Sequence, residues 1–223
     1  MMRKLWAQAL TKYLAGLIFV GILIFLPAGT FHYPGGWLLM GILFGPMLIL
    51  GVVLLFKAPR LLEKRLSTKE KEAEQKKVIS FSALCFLLGF IVAGLDHRFG
   101  WSSLPHWLTV TAAVIMLISY GLYAEVMREN AWLSRTVEVQ EGQKVVDTGL
   151  YGIVRHPMYA VTIWLFLAMP LVLGSLPAFV IFLFYPAATV KRIRNEEAVL
   201  DKGLAGYAEY KQKVKWRLMP FVW

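Results

Sequence analysis

The residues able to do chemistry gather at the two ends of one apolar stretch. Gly149-Leu150-Tyr151-Gly152-Ile153-Val154-Arg155-His156-Pro157-Met158-Tyr159 leads into it, and Arg192, Glu196 and Glu197 follow it. Between them, the 28 residues from Tyr159 to Pro186 carry no ionisable group except two tyrosine phenols, so the flanking polar groups stand out against a lipid-soluble background. Pro157 favours an extended residue before it and fits the first turn of a helix. That leaves Arg155 and His156 on the approach loop beside open backbone amides, a place for an anion. Glu196 and Glu197 should lie on a helix leaving the membrane. Neighbours on a helix sit about 100° apart, so only one of the two points fully into a pocket and the other pairs with Arg192 or Arg194. Spacing alone fits a ligand-free basic and acidic helix end equally well.

The two ends meet only if the stretch turns back on itself, and charge addresses this. Apolar runs fall at about Tyr13 to Pro27, Trp37 to Phe56, Val78 to Leu95, Trp107 to Tyr123 and Tyr159 to Pro186. The segments around them hold, in order, 3, 0, 8, 1, 4 and 8 of the 24 Lys and Arg residues. With a cytoplasmic N-terminus and four spans, the heavily basic segments lie inside, as the positive-inside rule expects. A fifth single crossing would put the 8 basic residues of the tail outside, whereas a hairpin keeps every basic residue except Arg98 on one side. Pro170, Gly174 and Pro177 supply the turn. Each arm then has about 11 to 14 residues, too short to cross unless extended, and other spans must cover the backbone exposed at the turn. The fold expected is all-α: a polytopic membrane bundle of four full spans, a C-terminal helical hairpin and an amphipathic helix on the side of both termini. Residues 1–125 form the four-span part of one domain, and 126–223 its site-bearing core.

Composition agrees. A hydrophobic content of 58% and a mean hydropathy of +0.58 leave no room for a large soluble domain. The net charge of +10 is explained by topology and by attraction to anionic lipid, and no aromatic-interleaved basic patch points to nucleic acid. The first run is too long for a cleaved signal peptide. Cys85 reads as a small core residue. The connection Lys57 to Lys77 reads as an interfacial helix with pairs such as Glu72 to Lys76. Trp37, Trp101, Trp107, Trp132 and Trp216 read as headgroup anchors, and Gly41 with Gly45 as a helix-packing motif that could also serve self-association. His32, His97 and His106 are too dispersed for a metal site, and Asp96 to Arg98 read as a cap of the third span. Leu200, Leu204, Tyr207 and Val214 recur near helical spacing, so Glu196 to Trp216 is expected as one amphipathic helix over the site.

The ordered set Gly149-Leu150-Tyr151 … Arg155-His156-Pro157-Met158-Tyr159, an apolar helix pair, Arg192-Ile193 … Glu196-Glu197, then Tyr207-Ala208-Glu209-Tyr210 … Val214 … Arg217-Leu218-Met219-Pro220 resembles the isoprenylcysteine carboxyl methyltransferase family, which is grouped with the membrane phospholipid methyltransferases. The likeness covers about Asn130 to Pro220. Gly203-Leu204 stands where the family often has Phe-Gly, which points away from the eukaryotic prenylcysteine enzymes and toward a bacterial or archaeal type.

The resemblance implies S-adenosylmethionine as cofactor, bound by Gly149, Tyr151, Arg155, His156, Pro157, Tyr159, Glu196 and Glu197. Glu197 could accept both ribose hydroxyls, while Arg155, His156 and free amides at the helix start hold the methionine carboxylate and Tyr159 covers the adenine or the sulfonium. No strand followed by a Gly-rich loop is present for a Rossmann-type site. Arg192 either orients an acceptor carboxylate or pairs with Glu196, and with Tyr159 forms the expected catalytic pair. The acceptor is a lipophilic small molecule or lipid-linked group arriving through the bilayer. Amine methylation of a phospholipid headgroup and a non-enzymatic membrane role are the alternatives.

Overall fold

The computed structural model describes residues 2–66 and 73–223, and the described residues form helices and connecting loops with no β-strand. Four long helices come first: α1 (Met2–Ala28), α2 (Pro34–Lys57), α4 (Ala73–Phe99) and α5 (His106–Glu129), with the short α3 (Pro59–Leu66) following α2. After a long loop holding one 3₁₀ turn at Gly149–Gly152 come α6 (Pro157–Val172), α7 (Leu176–Phe182), α8 (Phe184–Gly203) and α9 (Tyr207–Lys213). Helices α1, α2, α4 and α5 are each long and apolar enough to cross a membrane, and so is the run Leu176–Gly203 made by α7 and α8 together. Large apolar side chains such as Ile18, Leu26, Ile49 and Ile118 face outward, where lipid rather than water must meet them. The chain is an integral membrane protein.

The hairpin forms, with unequal arms. Helix α6 has 16 residues and the returning run has 28, longer than the 11 to 14 expected of each arm. The reason is local: Pro186 falls in the first turn of α8, where its missing N–H costs nothing, so the helix runs on through Lys191 and the glutamates. The reversal is made at Gly174, whose φ of +77° only glycine adopts without strain. Ser175 N donates to Pro170 O, and Ser175 Oγ caps α7 by accepting from Ala178 N. Tyr33 Oη donates to Leu173 O at 2.6 Å, so another part of the bundle covers the backbone of the turn. Pro170 itself sits inside α6 rather than in the turn.

The core lies where α1, α2, α4, α5 and the hairpin meet, with Ile24, Leu39, Ala93, Met116, Val172 and Phe182 buried. Phe86 packs edge-to-face on Phe166 and Phe182, fixing α4 against both arms. Gly41 and Gly45 have no neighbour within 4 Å, so this pair packs nothing inside the chain and faces outward from the bundle. Asp96 accepts from Ser102 N and Oγ, tying the end of α4 to the loop after it rather than capping the helix. The expected Glu72 to Lys76 pair lies outside the described residues; beside it, Lys77 and Lys191 both reach Glu74.

The single helix expected from Glu196 to Trp216 is instead two. Helix α8 stops at Gly203, Gly206 takes a φ of +82°, and α9 starts at Tyr207. The break lets Leu204, Tyr207, Tyr210 and Val214 turn together onto Val139 and Val145 of the loop after α5. That loop and the tail therefore close over the polar end of the hairpin as one packed unit.

Candidate functional site

Two backbone hydrogen bonds fix the approach to α6. Arg155 N donates to Trp216 O and His156 N to Arg217 O, both at 2.9 Å. The amides expected to be open for an anion are thus committed to the tail, and Tyr159 N and Ala160 N return to His156 O. The pairing places the side chains of Arg155 and His156 against α8. There Glu197 is buried, with Oε1 accepting from Arg155 Nε at 2.9 Å and lying 3.2 Å from His156 Nε2, while Oε2 accepts from Arg217 Nε at 2.8 Å. Arg155 Nη1 is shared between the carbonyls of Val214 and Lys215. Glu197 therefore pairs with Arg155, Arg217 and His156, not with Arg192 or Arg194, and the Arg155 guanidinium is held by protein rather than offered to a ligand carboxylate.

The 100° step between neighbours turns Glu196 the other way, into a polar cleft. Its Oε2 accepts from Tyr159 Oη at 2.5 Å, and the same hydroxyl accepts from Arg192 Nε at 2.9 Å. Arg192 is steered further by the fully buried Gln75: Nη1 donates to Gln75 Oε1 at 3.3 Å, Gln75 Nε2 donates to Arg192 O at 3.2 Å, and Nη2 donates to Arg135 O at 2.7 Å. The ends of the hairpin meet in a chain of three groups, Glu196, Tyr159 and Arg192.

The cleft around Glu196 is lined by Trp132, Val137, Tyr151, His156, Tyr207 and Tyr210 among others. Burial, then the nearby Glu197 and Glu196, push the Tyr207 phenol well above the usual tyrosine range, so it stays protonated as a donor. Its hydroxyl is buried with no hydrogen-bond partner among the described residues. Tyr210 Oη, by contrast, donates to Tyr151 O at 2.7 Å. Across the hairpin lies a second, largely apolar cavity of about 550 Å³, within the usual range for small-molecule sites. The cleft and the cavity share Ser134, Met158, Tyr159 and Arg192 as a common wall.

Of the residues expected at a cofactor, the structure brings Tyr151, Arg155, His156, Tyr159 and Glu196 to the cleft. Glu197 lies behind it. Pro157 starts α6 and faces a separate apolar groove. Gly149 is not in the cleft: its φ is +52°, and a Cβ there would lie 1.5 Å from Glu129 Oε1, whose carboxylate accepts from Leu150 N. It shapes the loop that carries Tyr151. Sequence reasoning missed Arg65, Gln75, Arg135 and Ser134 as neighbours of the site. Only Gln75, an uncharged polar residue at the start of a span, carried a signal that could have found it.

The model of the isoprenylcysteine carboxyl methyltransferase family matches residues 107–202 of the chain, the region holding the hairpin and the Glu196–Tyr159–Arg192 group. The solved structure of a eukaryotic intramembrane Ras methyltransferase, an isoprenylcysteine carboxyl methyltransferase, superposes with a TM-score of 0.57 at 19% identity, covering 96% of this chain and 77% of that one. The chain therefore shares its fold. A Delta(14)-sterol reductase of Mus musculus is 30% identical over 91 residues, which is 40% of this chain and 22% of that protein. The chain thus resembles the methyltransferase family in sequence over residues 107–202 and the solved Ras methyltransferase in fold over almost its whole length.

Proposed function

We propose that this membrane protein is a methyltransferase that takes its methyl group from S-adenosylmethionine and delivers it to a lipophilic carboxylate acceptor. The observation that carries the reading is the shared wall: a polar cleft and an apolar cavity abut at Met158, Tyr159 and Arg192. A water-soluble donor and a lipid-soluble acceptor need such a junction.

The residues of the cleft fit the donor. Glu196 offers a carboxylate for ribose hydroxyls, and the orphaned Tyr207 hydroxyl offers a buried donor. Trp132 and Tyr151 give aromatic surface for a purine. When bound, S-adenosylmethionine supplies an electrophilic methyl on a sulfonium. The protein's own part is alignment and exclusion of water, which lowers the barrier of an in-line displacement. Arg192 holds the acceptor carboxylate against the wall, and Tyr159 fixes Arg192 relative to Glu196. A carboxylate needs no general base, so no proton has to leave during the step. On this reading the core 126–223 holds the donor, while the acceptor cavity draws on Arg65 and Val78 of the N-terminal part as well. Both termini and the cleft face the cytoplasm, the donor's compartment.

The sterol reductase likeness favours a second reading, in which the cleft takes a reducing cofactor and the cavity a sterol. An uncharged sterol leaves the arginines of the cavity without a purpose. The test is transfer of labelled methyl from S-adenosylmethionine by protein in lipid nanodiscs, supplied with a membrane extract. Label in an organic-soluble product released by mild base supports a methyl ester. Base-stable label points to N-methylation, and no label with saturable binding of a reduced dinucleotide points to the reductase.

A further inference from the structure

The loop at the end of the tail turns its apolar side chains outward. Arg217 N and Leu218 N both donate to Trp223 O, at 2.8 and 3.0 Å, and Val222 N and Trp223 N both return to Met219 O, so the segment doubles back on itself. At its tip Phe221 has a φ of +65°, alone among the described non-glycine residues in the left-handed region, a conformation a bulky residue adopts only at a cost. Phe221 is 87% and Val222 72% exposed, with Met219 exposed beside them. Trp216 packs on Phe221 with ring centroids 5.4 Å apart, and Arg217 lies over the Trp223 ring, so both flanks of the tip are held. Three outward apolar side chains on a strained loop are unfavourable in water and suit an apolar surrounding.

The level of the loop identifies that surrounding. Trp216 O and Arg217 O pair with Arg155 N and His156 N, directly before Pro157 opens the apolar helix α6. Glu129, the last residue of the spanning helix α5, accepts from Leu150 N, so the approach to α6 lies level with the end of a span. Leu150 and Val154 continue the apolar groove lined by the outward-facing Ile118 and Trp164, and Ile153 is exposed next to them. Lipid headgroups and the upper acyl chains occupy that level. Exposed Lys213 and Lys215 precede the tip, and Trp216 and Trp223 flank it, a combination of cationic and amphipathic aromatic groups that suits phospholipid headgroups.

We infer that the loop around Phe221 docks into the headgroup and upper acyl region of the leaflet beside the cleft, and that this lipid contact holds the tail over the site. The coupling is direct. The segment that carries the loop supplies Trp216 O and Arg217 O to the approach to α6, and Arg217 Nε to Glu197 at 2.8 Å. The inference goes beyond the function proposed above and holds whichever donor the cleft takes. It also lies outside the segment that matches the methyltransferase family.

Val222→Cys and Lys202→Cys, each labelled with bimane in a Cys85→Ala background and reconstituted at one chain per phosphatidylcholine nanodisc, test the docking. Lys202 is exposed near the end of α8 and serves as the water-side reference. Phosphatidylcholine with a nitroxide high on its acyl chain should quench the probe at 222 at least about threefold more than the probe at 202, and aqueous iodide should quench it about threefold less. Amide hydrogen exchange in unlabelled nanodisc samples then tests the hold. Phe221→Ser combined with Val222→Ser should speed exchange of the Arg155 and His156 amides by about tenfold or more, while Phe221→Trp keeps it within about threefold. Exchange in the core of α4 confirms that each variant is folded. Iodide quenching at 222 equal to that at 202 overturns the inference, and so does a probe at 222 shielded by protein from both quenchers. Exchange at 155 and 156 unchanged in the double serine variant overturns it as well.

Discussion

Arg155 Nε lies 2.9 Å from Glu197 Oε1 in a buried pair whose other carboxylate oxygen is held by Arg217. The carboxylate joins the loop before α6, the helix α8 and the C-terminal tail at one point. Its neighbour Glu196 faces the cleft instead. Two adjacent glutamates thus face different ways, one tying three segments together and one lining the cleft.

The separation predicts opposite behaviour for two conservative changes. Glu197→Gln leaves the buried Arg155 guanidinium, and the partly exposed Arg217, without a countercharge and should cost about 3–5 kcal/mol of stability. Glu196→Gln removes a charge at an open cleft and should change stability by less than about 1 kcal/mol while weakening donor binding about tenfold. Thermal unfolding and donor titration of the two variants check this.

Tyr159 Oη donates to Glu196 and accepts from Arg192 Nε, so it links the cleft to the cavity. Tyr159→Phe keeps the ring and deletes the link. Turnover should fall by about ten- to a hundredfold while donor affinity changes less than about threefold, since Arg192 loses its orientation and the cleft keeps its carboxylate. Single-turnover kinetics beside equilibrium binding separate the two effects. An equal loss in both would place Tyr159 in the cleft alone.

Much of this was legible in the sequence. Charge asymmetry among the connections pointed to the hairpin, and an uncharged run bracketed by Arg155-His156 and Glu196-Glu197 pointed to the candidate site. The backbone pairing of Arg155 and His156 with Trp216 and Arg217 was not legible, because it depends on where the tail returns after Gly206. For the same reason the two glutamates could not be told apart: their partners come from segments remote in the chain. Arg65 escaped notice because a charge beside a span looks like a topology signal until the fold brings it to a cavity wall, and Gln75 because its partner, Arg192, lies far along the chain.

Tyr207 offers a test that needs no assay of turnover. Its hydroxyl is buried without a partner among the described residues, which costs about 1–3 kcal/mol. Tyr207→Phe should therefore leave the ligand-free protein as stable or more so, and should weaken donor binding by about three- to tenfold if the ligand meets the hydroxyl. A melting temperature that falls, with binding unchanged, would assign Tyr207 to packing.

Gly149 sits where any side chain meets the Glu129 carboxylate, and its φ of +52° is itself unfavourable for other residues. Gly149→Ala should destabilise by about 2 kcal/mol or more. Adding Glu129→Ala should restore part of that loss, the part due to the clash and not to the backbone. A double-mutant cycle by thermal unfolding measures the coupling.

The cleft beside Glu196 is proposed to hold a methyl donor. The most direct measurement is equilibrium binding of radiolabelled S-adenosylmethionine to purified protein in lipid nanodiscs, with Glu196→Gln and Tyr207→Phe variants confirmed as folded. The expected result is saturable binding by wild type that weakens in both variants and is unaffected by a reduced dinucleotide competitor. Well-folded wild type that binds no S-adenosylmethionine, or that binds it equally well in both variants, would contradict it.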